Sequence, residues 1–283
     1  MKPGVTPTFL LLLALCALPS PWAHAQSDGR LRGTGGVSSI SGAGGGGLTP
    51  WATLTGYSTR DAWGGTVFAS HASVDDYTLD VAGIGVNLHD RLEVSFARQK
   101  FRIKASRALI SQDSAGLKVR LAGDILYGKT PQMVLGVEHN ALRDPATALA
   151  VGARAAEGTD VYFSAARAWI AGPAARTTLL NISARYSRAN QFGLLGYGGD
   201  AQDDNVHLEA ALAVFLTRSW AIGAEYRHKP DNLSALTEDN AFDVFVAWFP
   251  DKRISITGAW VMLGDIAGAA DQSGFYLSLQ GAF

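Results

Sequence analysis

The chain is 283 residues long, has a formal net charge of −1, and only 17% of its residues are charged. A balance so close to neutral excludes a protein that binds nucleic acid through overall basic character. Cys16 is the only cysteine, which also excludes a disulfide framework and a cysteine-based metal site.

The first residues have the pattern of a secretory signal peptide. Lys2 supplies a positive charge, the apolar stretch 9–18 is too short to span a bilayer, and Ala25 is a small residue of the kind that signal peptidase recognises. We therefore expect cleavage near Ala25, with residues 1–25 as the signal peptide and 26–283 as the mature chain. No later apolar run reaches the length of a transmembrane helix.

The mature sequence is dominated by segments in which apolar residues alternate with polar or small ones. In "AFDVFVAWF", Phe242, Val244 and Val246 fall on one face and Asp243 on the other. A transmembrane β-barrel strand needs ~9–11 such residues, apolar toward lipid and polar toward the lumen. Twelve segments of this kind lie near residues 64–71, 78–88, 91–98, 115–125, 131–139, 160–169, 176–187, 206–216, 219–228, 241–249, 253–263 and 273–283.

Residues 50–58 have the pattern of a further strand, and 30–40 is its only candidate partner. Because such barrels have an even number of strands, the sequence predicts an all-β antiparallel transmembrane barrel of about 14 strands. The alternative is a barrel of 12 strands in which residues 30–60 form a Gly-rich N-terminal plug.

The predicted connections alternate between short and long, as periplasmic turns and extracellular loops do. Long polar connections are expected near 99–114, 140–159, 189–205, 229–240 and 264–273. This pattern predicts the outer membrane of a Gram-negative bacterium. The expected partners are outer-membrane lipid, lipopolysaccharide, the outer-membrane assembly machinery and a small solute, without nucleic acid, and the oligomeric state stays open.

Aromatic residues gather beside the predicted short turns, where a barrel has its interfacial girdle. The predicted girdle consists of Trp169, Trp220, Trp248, Phe249 and Phe283. Charged residues of opposite parity to the apolar ones should face the lumen, where they either line a pore or brace a narrow barrel internally. These predicted lumen residues are Glu93, Lys118, Arg120, Glu138, Arg185, Glu209, Glu225, Arg227 and Asp243.

Two loops stand out. The Gly-rich stretch 35–48 lacks the Gly-Lys-Ser/Thr of a phosphate loop, and we expect an extracellular hairpin loop, with a lumen gate or plug as the alternative. Stretch 189–204 mixes apolar and acidic residues that could fold into the mouth, contact a solute or bind a cation. Its candidate residues are Phe192, Leu195, Tyr197, Asp200, Asp203 and Asp204. The spacing matches no known metal motif, so neither a metal site nor a cofactor is expected.

Two further patterns concern the outer wall. Arg98, Lys100, Arg102 and Lys104 share the parity of lipid-facing residues. This suggests a stripe that meets lipopolysaccharide phosphates, unless a bulge turns it inward, or else an ordinary charged loop. His71 and Ser73 share one strand face, as in a lipid hydrolase, but the third member that would orient the histidine is uncertain. No enzymatic activity is therefore expected.

Several stretches carry a family resemblance, among them "TGGVSSISGAGGGGLTPWA" (34–52), "ANQFGLLGYGGD" (189–200) and "DVFVAWFPDKRISIT" (243–257). The chain resembles an uncharacterised proteobacterial family, domain-of-unknown-function family 3034. The resemblance implies a barrel-like envelope protein and brings no catalytic residues. From the architecture we expect a passive channel or uptake porin for a small solute. The alternatives are a non-conducting barrel that binds lipopolysaccharide and, more remotely, a membrane-embedded lipid hydrolase.

Overall fold

The computed structural model describes residues 32–201 and 205–283. Within these ranges, twelve antiparallel strands form a closed barrel. Two short strands, β1 (Val37–Ser38) and β2 (Gly44–Gly45), form a separate two-stranded sheet. The barrel strands are β3 (Trp63–Val74), β4 (Tyr77–Leu88), β5 (Leu92–Ile103), β6 (Leu109–Ala122), β7 (Gln132–Leu142), β8 (Glu157–Trp169), β9 (Thr177–Tyr186), β10 (Val206–Phe215), β11 (Trp220–Arg227), β12 (Ala241–Trp248), β13 (Ile254–Met262) and β14 (Ser273–Ala282).

The alternation of side chains builds an apolar outside and a polar inside. In β12, Phe242, Val244 and Val246 are exposed on the outer wall, whereas Asp243 and Ala247 are buried. The same alternation runs through the other strands, so that the wall presents lipid with an apolar surface. The protein therefore has the architecture of an outer-membrane porin-like barrel.

The barrel closes between its last and first strands. β14 pairs with β3 from Gly274 opposite Val74 to Ala282 opposite Thr66. Phe283 extends this ladder, because its backbone N–H donates to the Gly65 carbonyl and its carbonyl accepts from the Gly65 N–H. Each of the twelve barrel strands is therefore paired on both sides, and the barrel formed by the described residues has no open edge for another strand.

The expected count of fourteen strands is therefore wrong, and the alternative of twelve strands with an N-terminal plug is confirmed. Every residue from 37 to 58 is buried inside the barrel, and we call this segment the plug. Residues 50–58 have a strand-like pattern, but they find no place in a ladder that β14 and β3 already close. Stretch 35–48, expected outside the cell, lies in the lumen for the same reason.

The expected long connection at 99–114 is also wrong. The chain instead continues β5 to Ile103 and begins β6 at Leu109, leaving a turn at 104–108. Gln99 and Phe101 point inward, whereas the charged residues that flank them, Arg98, Lys100 and Arg102, point outward. The strand period therefore persists through the charged stretch. The other long connections are present as expected at 143–156, 187–205, 228–240 and 263–272.

The connection 143–156 contains the short helix α1 (Ala146–Ala150), and Asn190–Gly193 in the next long connection forms a 3-10 turn. In the part of the chain described, no helix combines the length and apolar character required to cross a membrane.

Candidate functional site: the plugged lumen

The plug is held first by an ion pair on the barrel wall. Glu93 and Lys118 lie opposite each other on β5 and β6, with Nζ 3.3 Å from Oε1. Glu93 accepts hydrogen bonds from the backbone N–H groups of Gly44 at 2.9 Å and Thr55 at 2.7 Å. Lys118 donates to the carbonyls of Gly44 at 2.6 Å and Thr53 at 2.9 Å. The pair thus supplies the partners that buried backbone groups require.

Glu225 on β11 holds the middle of the plug. Its carboxylate accepts from the backbone N–H groups of Leu48 at 2.9 Å and Thr49 at 3.2 Å. It also accepts from the Thr49 hydroxyl at 2.6 Å and from the Trp51 indole N–H at 2.9 Å. Four plug donors thus converge on one wall carboxylate, and such charge-assisted bonds are among the strongest that a side chain makes.

Uncharged amides continue this pattern around the plug. Asn181 accepts from the Ala52 N–H at 2.8 Å, and Gln132 donates to the Ala52 carbonyl at 2.6 Å. On another wall, the Gln280 side chain accepts from the Ser38 hydroxyl at 2.7 Å. Wall side chains on six strands therefore supply the hydrogen-bond partners that a ladder would otherwise give the plug.

The glycines of the plug are required by close approach, either to the wall or to another part of the plug. A β-carbon on Gly46 would lie 2.1 Å from Glu225 Oε1, and one on Gly45 would lie 2.4 Å from the Trp51 backbone nitrogen. At Gly47 it would be 3.1 Å from the Tyr276 ring. The low side-chain volume of this stretch is what lets its backbone reach the carboxylate.

A second group of charges braces the lumen beside the plug. Arg185 Nε lies 2.6 Å from Glu209 Oε1, and its NH1 lies 3.3 Å from Asp160 and 3.6 Å from Glu138. Arg227 Nε also lies 3.2 Å from Glu209. Such fully buried charges are tolerated because they are paired. Sequence reasoning missed Asp160, although its parity with the inward Tyr162 and Ser164 was the signal that identifies it.

The structure brings the predicted lumen residues together in part. Eight of the nine are buried inside the barrel, and most of them contact the plug or the charge cluster. Arg120 lies apart near the periplasmic rim, where it pairs with Asp90 and donates to the Gly123 carbonyl at 2.6 Å. Asp243 lies opposite Glu225 in the β11–β12 ladder.

The residues of the predicted aromatic girdle lie on the outer wall, with one exception. Trp169, Trp220 and Trp248 are exposed there, and the last two stack with ring centroids 5.6 Å apart. Phe283 is also exposed and packs edge-on against Trp63, another exposed aromatic residue at this end. Phe249 does not belong to the girdle, because it lies one residue beyond β12, points inward and is only 4% exposed.

The stretch 189–198 folds down into the extracellular mouth. Its apolar candidates Phe192, Leu195 and Tyr197 are all buried. Asp200 stays exposed and accepts from the Ser234 N–H at 3.0 Å, whereas Asp203 and Asp204 lie outside the described residues. We call the buried stretch 189–198 the roof of the lumen, and the exposed Asp200 lies outside it.

The roof is tied to the neighbouring loop by buried charges. Glu238 accepts from the Gln191 N–H at 2.8 Å, and Lys229 donates to the Gln191 side-chain oxygen at 2.8 Å. Burial raises the pKa of Glu238 to about 7, against the opposing effect of Lys229. Burial likewise lowers the pKa of Lys229.

Three cavities follow one another through the lumen. The outer cavity, of ≈ 50 Å³, lies between the plug and the roof, and the inner cavity, of ≈ 30 Å³, lies on the other side of the plug. Gly47 borders both. Leu179 and Phe215 border both the inner cavity and a vestibule of ≈ 810 Å³. The glycine segment is thus the partition between the first two spaces.

The outer wall carries the remaining candidates. His71 Nδ1 lies 2.8 Å from Asp80, its cross-strand neighbour, and Ser73 shares this outward face. The outward Arg98 pairs with Asp113 at 2.7 Å. In the described ranges, no group of three or more histidine, cysteine or acidic residues is arranged to hold a metal ion.

Comparison with known proteins gives a family match and a shared fold. The model of a family described as "Protein of unknown function (DUF3034)" matches residues 34–280. No curated protein sequence matches the chain. Among solved structures, the NanC porin is 8% identical with a TM-score of 0.50, covering 77% of this chain and 98% of that one. At such identity the likeness shows the fold alone.

Two further solved structures are similarly related. The KdgM porin is 9% identical with a TM-score of 0.49, covering 77% of this chain and 99% of that one. The Acinetobacter baumannii outer membrane protein Omp33 is also 9% identical with a TM-score of 0.49, covering 78% of this chain and 98% of that one.

Proposed function

This chain belongs to the DUF3034 family of proteins of unknown function, and we propose that it is an outer-membrane uptake channel for a small solute that its N-terminal plug holds closed. The proposal departs from a passive, permanently open pore. Glu93, Lys118 and Glu225, which would line such a pore, form hydrogen bonds with the plug instead.

The convergence of plug donors on Glu225 is the observation that carries the proposal. Leu48, Thr49 and Trp51 are held by hydrogen bonds to this single carboxylate. A hydrogen bond contributes only ~0.5–1.5 kcal/mol net, or ~1.5–3 when one partner is charged, because water can replace the partner. A contact of this kind can be exchanged for water when the plug shifts.

The cavities support the same proposal. Gly47 of the plug lines both the outer and the inner cavity, and Leu179 and Phe215 line both the inner cavity and the vestibule. Because Gly45, Gly46 and Gly47 carry no side chains, a small displacement of their backbone would join these spaces. A plug that closed the lumen permanently could carry bulky side chains between the two cavities, whereas this one has only glycines there.

Conductance of the refolded chain starting at Gln26, in a planar bilayer, tests the proposal. We expect the wild-type barrel to be closed for most of the time and Glu225→Ala to show frequent, steady current steps. Glu157→Ala is the matched control, since it removes an exposed carboxylate from the outer end of β8. Heat-modifiable migration on gels verifies that each variant is folded.

Movement of the plug is measured separately. Ser39 is fully buried in the plug, and Ser39→Cys places a lone thiol there, since the only other cysteine precedes Gln26. We call this introduced group the plug thiol. The exposed Ser106→Cys in the turn 104–108 gives the rate of free labelling. If Glu225→Ala makes the plug thiol reactive but the folded barrel stays silent, the channel proposal is wrong.

The outer wall favours a second candidate, a barrel that binds lipopolysaccharide. Because β5 extends to Ile103, Arg98, Lys100 and Arg102 project outward from its extracellular half and are exposed. We call these three residues the basic stripe. Arginine and lysine pair readily with phosphate groups, and lipopolysaccharide is the phosphate-bearing lipid of this leaflet. This candidate is compatible with a channel and also accounts for a barrel that never conducts.

A further inference from the structure

We propose that the outer cavity is a binding site for a small, largely apolar molecule that carries one hydroxyl group, with Asp243 as its hydrogen-bonding partner. The biological role of this site rests on the proposed channel function, because the molecule bound in the cavity would be the solute in transit. The site itself is argued from the cavity alone.

The lining of the cavity sets the apolar character of the ligand. Side chains from the wall, the plug and the loops converge on it, mainly Ile40, Leu48, Val74, Phe101, Val261 and Ile266. Sites for small molecules have this composition, with a few polar groups that fix the orientation of the ligand. A charged or sugar-like solute would find too few partners here, because burying polar groups without hydrogen bonds is costly.

The size of the cavity limits the ligand to a single ring or a short chain. Its volume of ≈ 50 Å³ counts the positions open to the centre of a water-sized sphere. A water molecule needs roughly 10–15 Å³ on this measure. The space therefore accommodates about three to five water-sized groups, which excludes an oligosaccharide or a long acyl chain as a fully enclosed ligand.

Asp243 supplies the polar contact. It lines the cavity and is only 2% exposed, and its Oδ1 has no hydrogen-bond partner among the described residues. A buried polar atom without a partner is unfavourable, because it has lost its hydrogen bonds to water without replacing them. A hydroxyl group satisfies the carboxyl group in either protonation state, since a hydroxyl both donates and accepts. The structure therefore points to one hydroxyl on the ligand.

The roof of the cavity is held in a strained conformation. Gln191 and Phe192 line the cavity from above, and both have a left-handed backbone, with φ of 43° and 60°. The Phe192 carbonyl accepts from Gln112 at 3.1 Å, and the Arg227 guanidinium lies 4.6 Å from the centre of the Phe192 ring. Strain maintained by surrounding contacts is typical of ligand clamps.

A fluorine NMR titration of the refolded chain in detergent micelles tests the inference. The probe is 4-fluorophenol, and fluorobenzene is the matched compound without the hydroxyl. We expect saturable binding of the phenol ~2–13-fold tighter than that of fluorobenzene, the ratio for one net hydrogen bond. Asp243→Val should abolish the difference, and Asp243→Asn, which keeps a donor and an acceptor, should retain it.

A cavity-filling pair of variants locates the binding. Val261→Phe adds a ring inside the cavity, whereas Val244→Phe adds the same ring on the lipid face of the neighbouring strand. We expect the first to weaken phenol binding at least ~10-fold and the second to leave it unchanged. These variants test the site even where Asp243→Val fails to fold.

The inference is overturned by absence of saturable phenol binding to the folded wild type, by unchanged discrimination in Asp243→Val, or by unchanged binding in Val261→Phe. Its failure is distinguishable from failure of the channel, because binding is measured in the closed wild-type barrel and conductance in Glu225→Ala without ligand. Binding without conductance supports the site and contradicts the channel. Conductance without binding supports the channel and contradicts the binding site.

Discussion

Gly46 lies so close to Glu225 that a β-carbon at this position would be 2.1 Å from the carboxylate oxygen Oε1. The same carboxylate accepts hydrogen bonds from Leu48, Thr49 and Trp51. An added methyl group must therefore displace either the carboxylate or the plug, and each of these movements disrupts the main contact between the plug and the wall.

Gly46→Ala should loosen the plug without unfolding the barrel. Forcing a methyl group into a packed site costs ~1–3 kcal/mol, which corresponds to a ~5–150-fold rise in the open population of the plug. We expect the labelling rate of the plug thiol in the Ser39→Cys background to rise by that factor.

Gly258→Ala is the control for this prediction. A β-carbon on Gly258 in β13 would have nothing within 4 Å, so the same substitution meets open space there. Labelling of the plug thiol should then proceed as fast as in Ser39→Cys alone. Equal rates in the two glycine variants would show that the approach of Gly46 to Glu225 does not hold the plug in place.

Arg185→Met should strongly destabilise the barrel. The guanidinium forms ion pairs with three carboxylates, those of Glu138, Asp160 and Glu209, and the side chain is 2% exposed. Removing one partner of a buried ion pair costs ~3–5 kcal/mol, because the remaining charges stay buried without compensation. Unfolding of the refolded barrel in urea measures the change.

Neutralising one of those carboxylates should recover part of the loss. The double variant Arg185→Met, Asp160→Asn is expected to be more stable than Arg185→Met alone, and Asp160 is chosen because Glu209 also pairs with Arg227. The exposed Arg253→Met in a periplasmic turn should change stability by less than ~0.5 kcal/mol. No recovery in the double variant would mean that lost packing, not unpaired charge, explains the effect.

The roof should lose stability as the pH rises. Burial raises the pKa of Glu238 from 4.5 to about 7, so between these values the folded chain binds more protons than the unfolded chain. The contribution of Glu238 to stability is therefore fully present below pH 4.5 and decreases as the pH rises toward 7. The wild type should lose thermal stability relative to Glu238→Gln across this window.

Thermal melting of both proteins from about pH 4 to about pH 9, a range that brackets both pKa values, provides the measurement. Glu157→Gln, which changes an exposed carboxyl group on the outer wall, should follow the wild-type curve. Parallel curves for the wild type and Glu238→Gln would refute the assignment of this pH dependence to Glu238.

The basic stripe should contribute to lipopolysaccharide binding. Lys100→Glu with Arg102→Glu reverses two outward charges, and each Lys or Arg near an anionic lipid surface contributes ~1 kcal/mol. We expect at least ~10-fold weaker binding of lipopolysaccharide and a shallower dependence on salt. Arg253→Glu, at the opposite end of the barrel, should leave binding unchanged, and an equal loss there would indicate a non-specific charge effect.

Much of the wall could be predicted from the sequence because the strand period of two is a local property. The parity of Asp243 against Phe242 and Val244 places its carboxyl group inside without knowledge of any neighbour. The same argument holds for Glu93 and Glu225. The same parity also places Phe249 inside, since it continues the inward positions of Phe245 and Ala247, and only its place beside a turn led to its assignment to the girdle.

Local patterns were misleading where charge was taken as evidence of a loop. Arg98, Lys100 and Arg102 interrupt the apolar face of β5, yet Gln99 and Phe101 keep the inward period, and the strand continues. Where a strand extends past the membrane, its outward residues no longer have to be apolar. There the residue composition no longer distinguishes strand from loop, but the period of two still does.

The sequence by itself determined that this is a membrane barrel with polar side chains inside, since alternation, loop lengths and interfacial aromatics are all local features. Only the tertiary structure decided what fills the lumen. The plug's backbone groups pair with side chains far away in the chain, Thr55 with Glu93 and Leu48 with Glu225. Such pairing leaves no periodic trace, because it depends on which strand closes the barrel and on how much space that closure encloses.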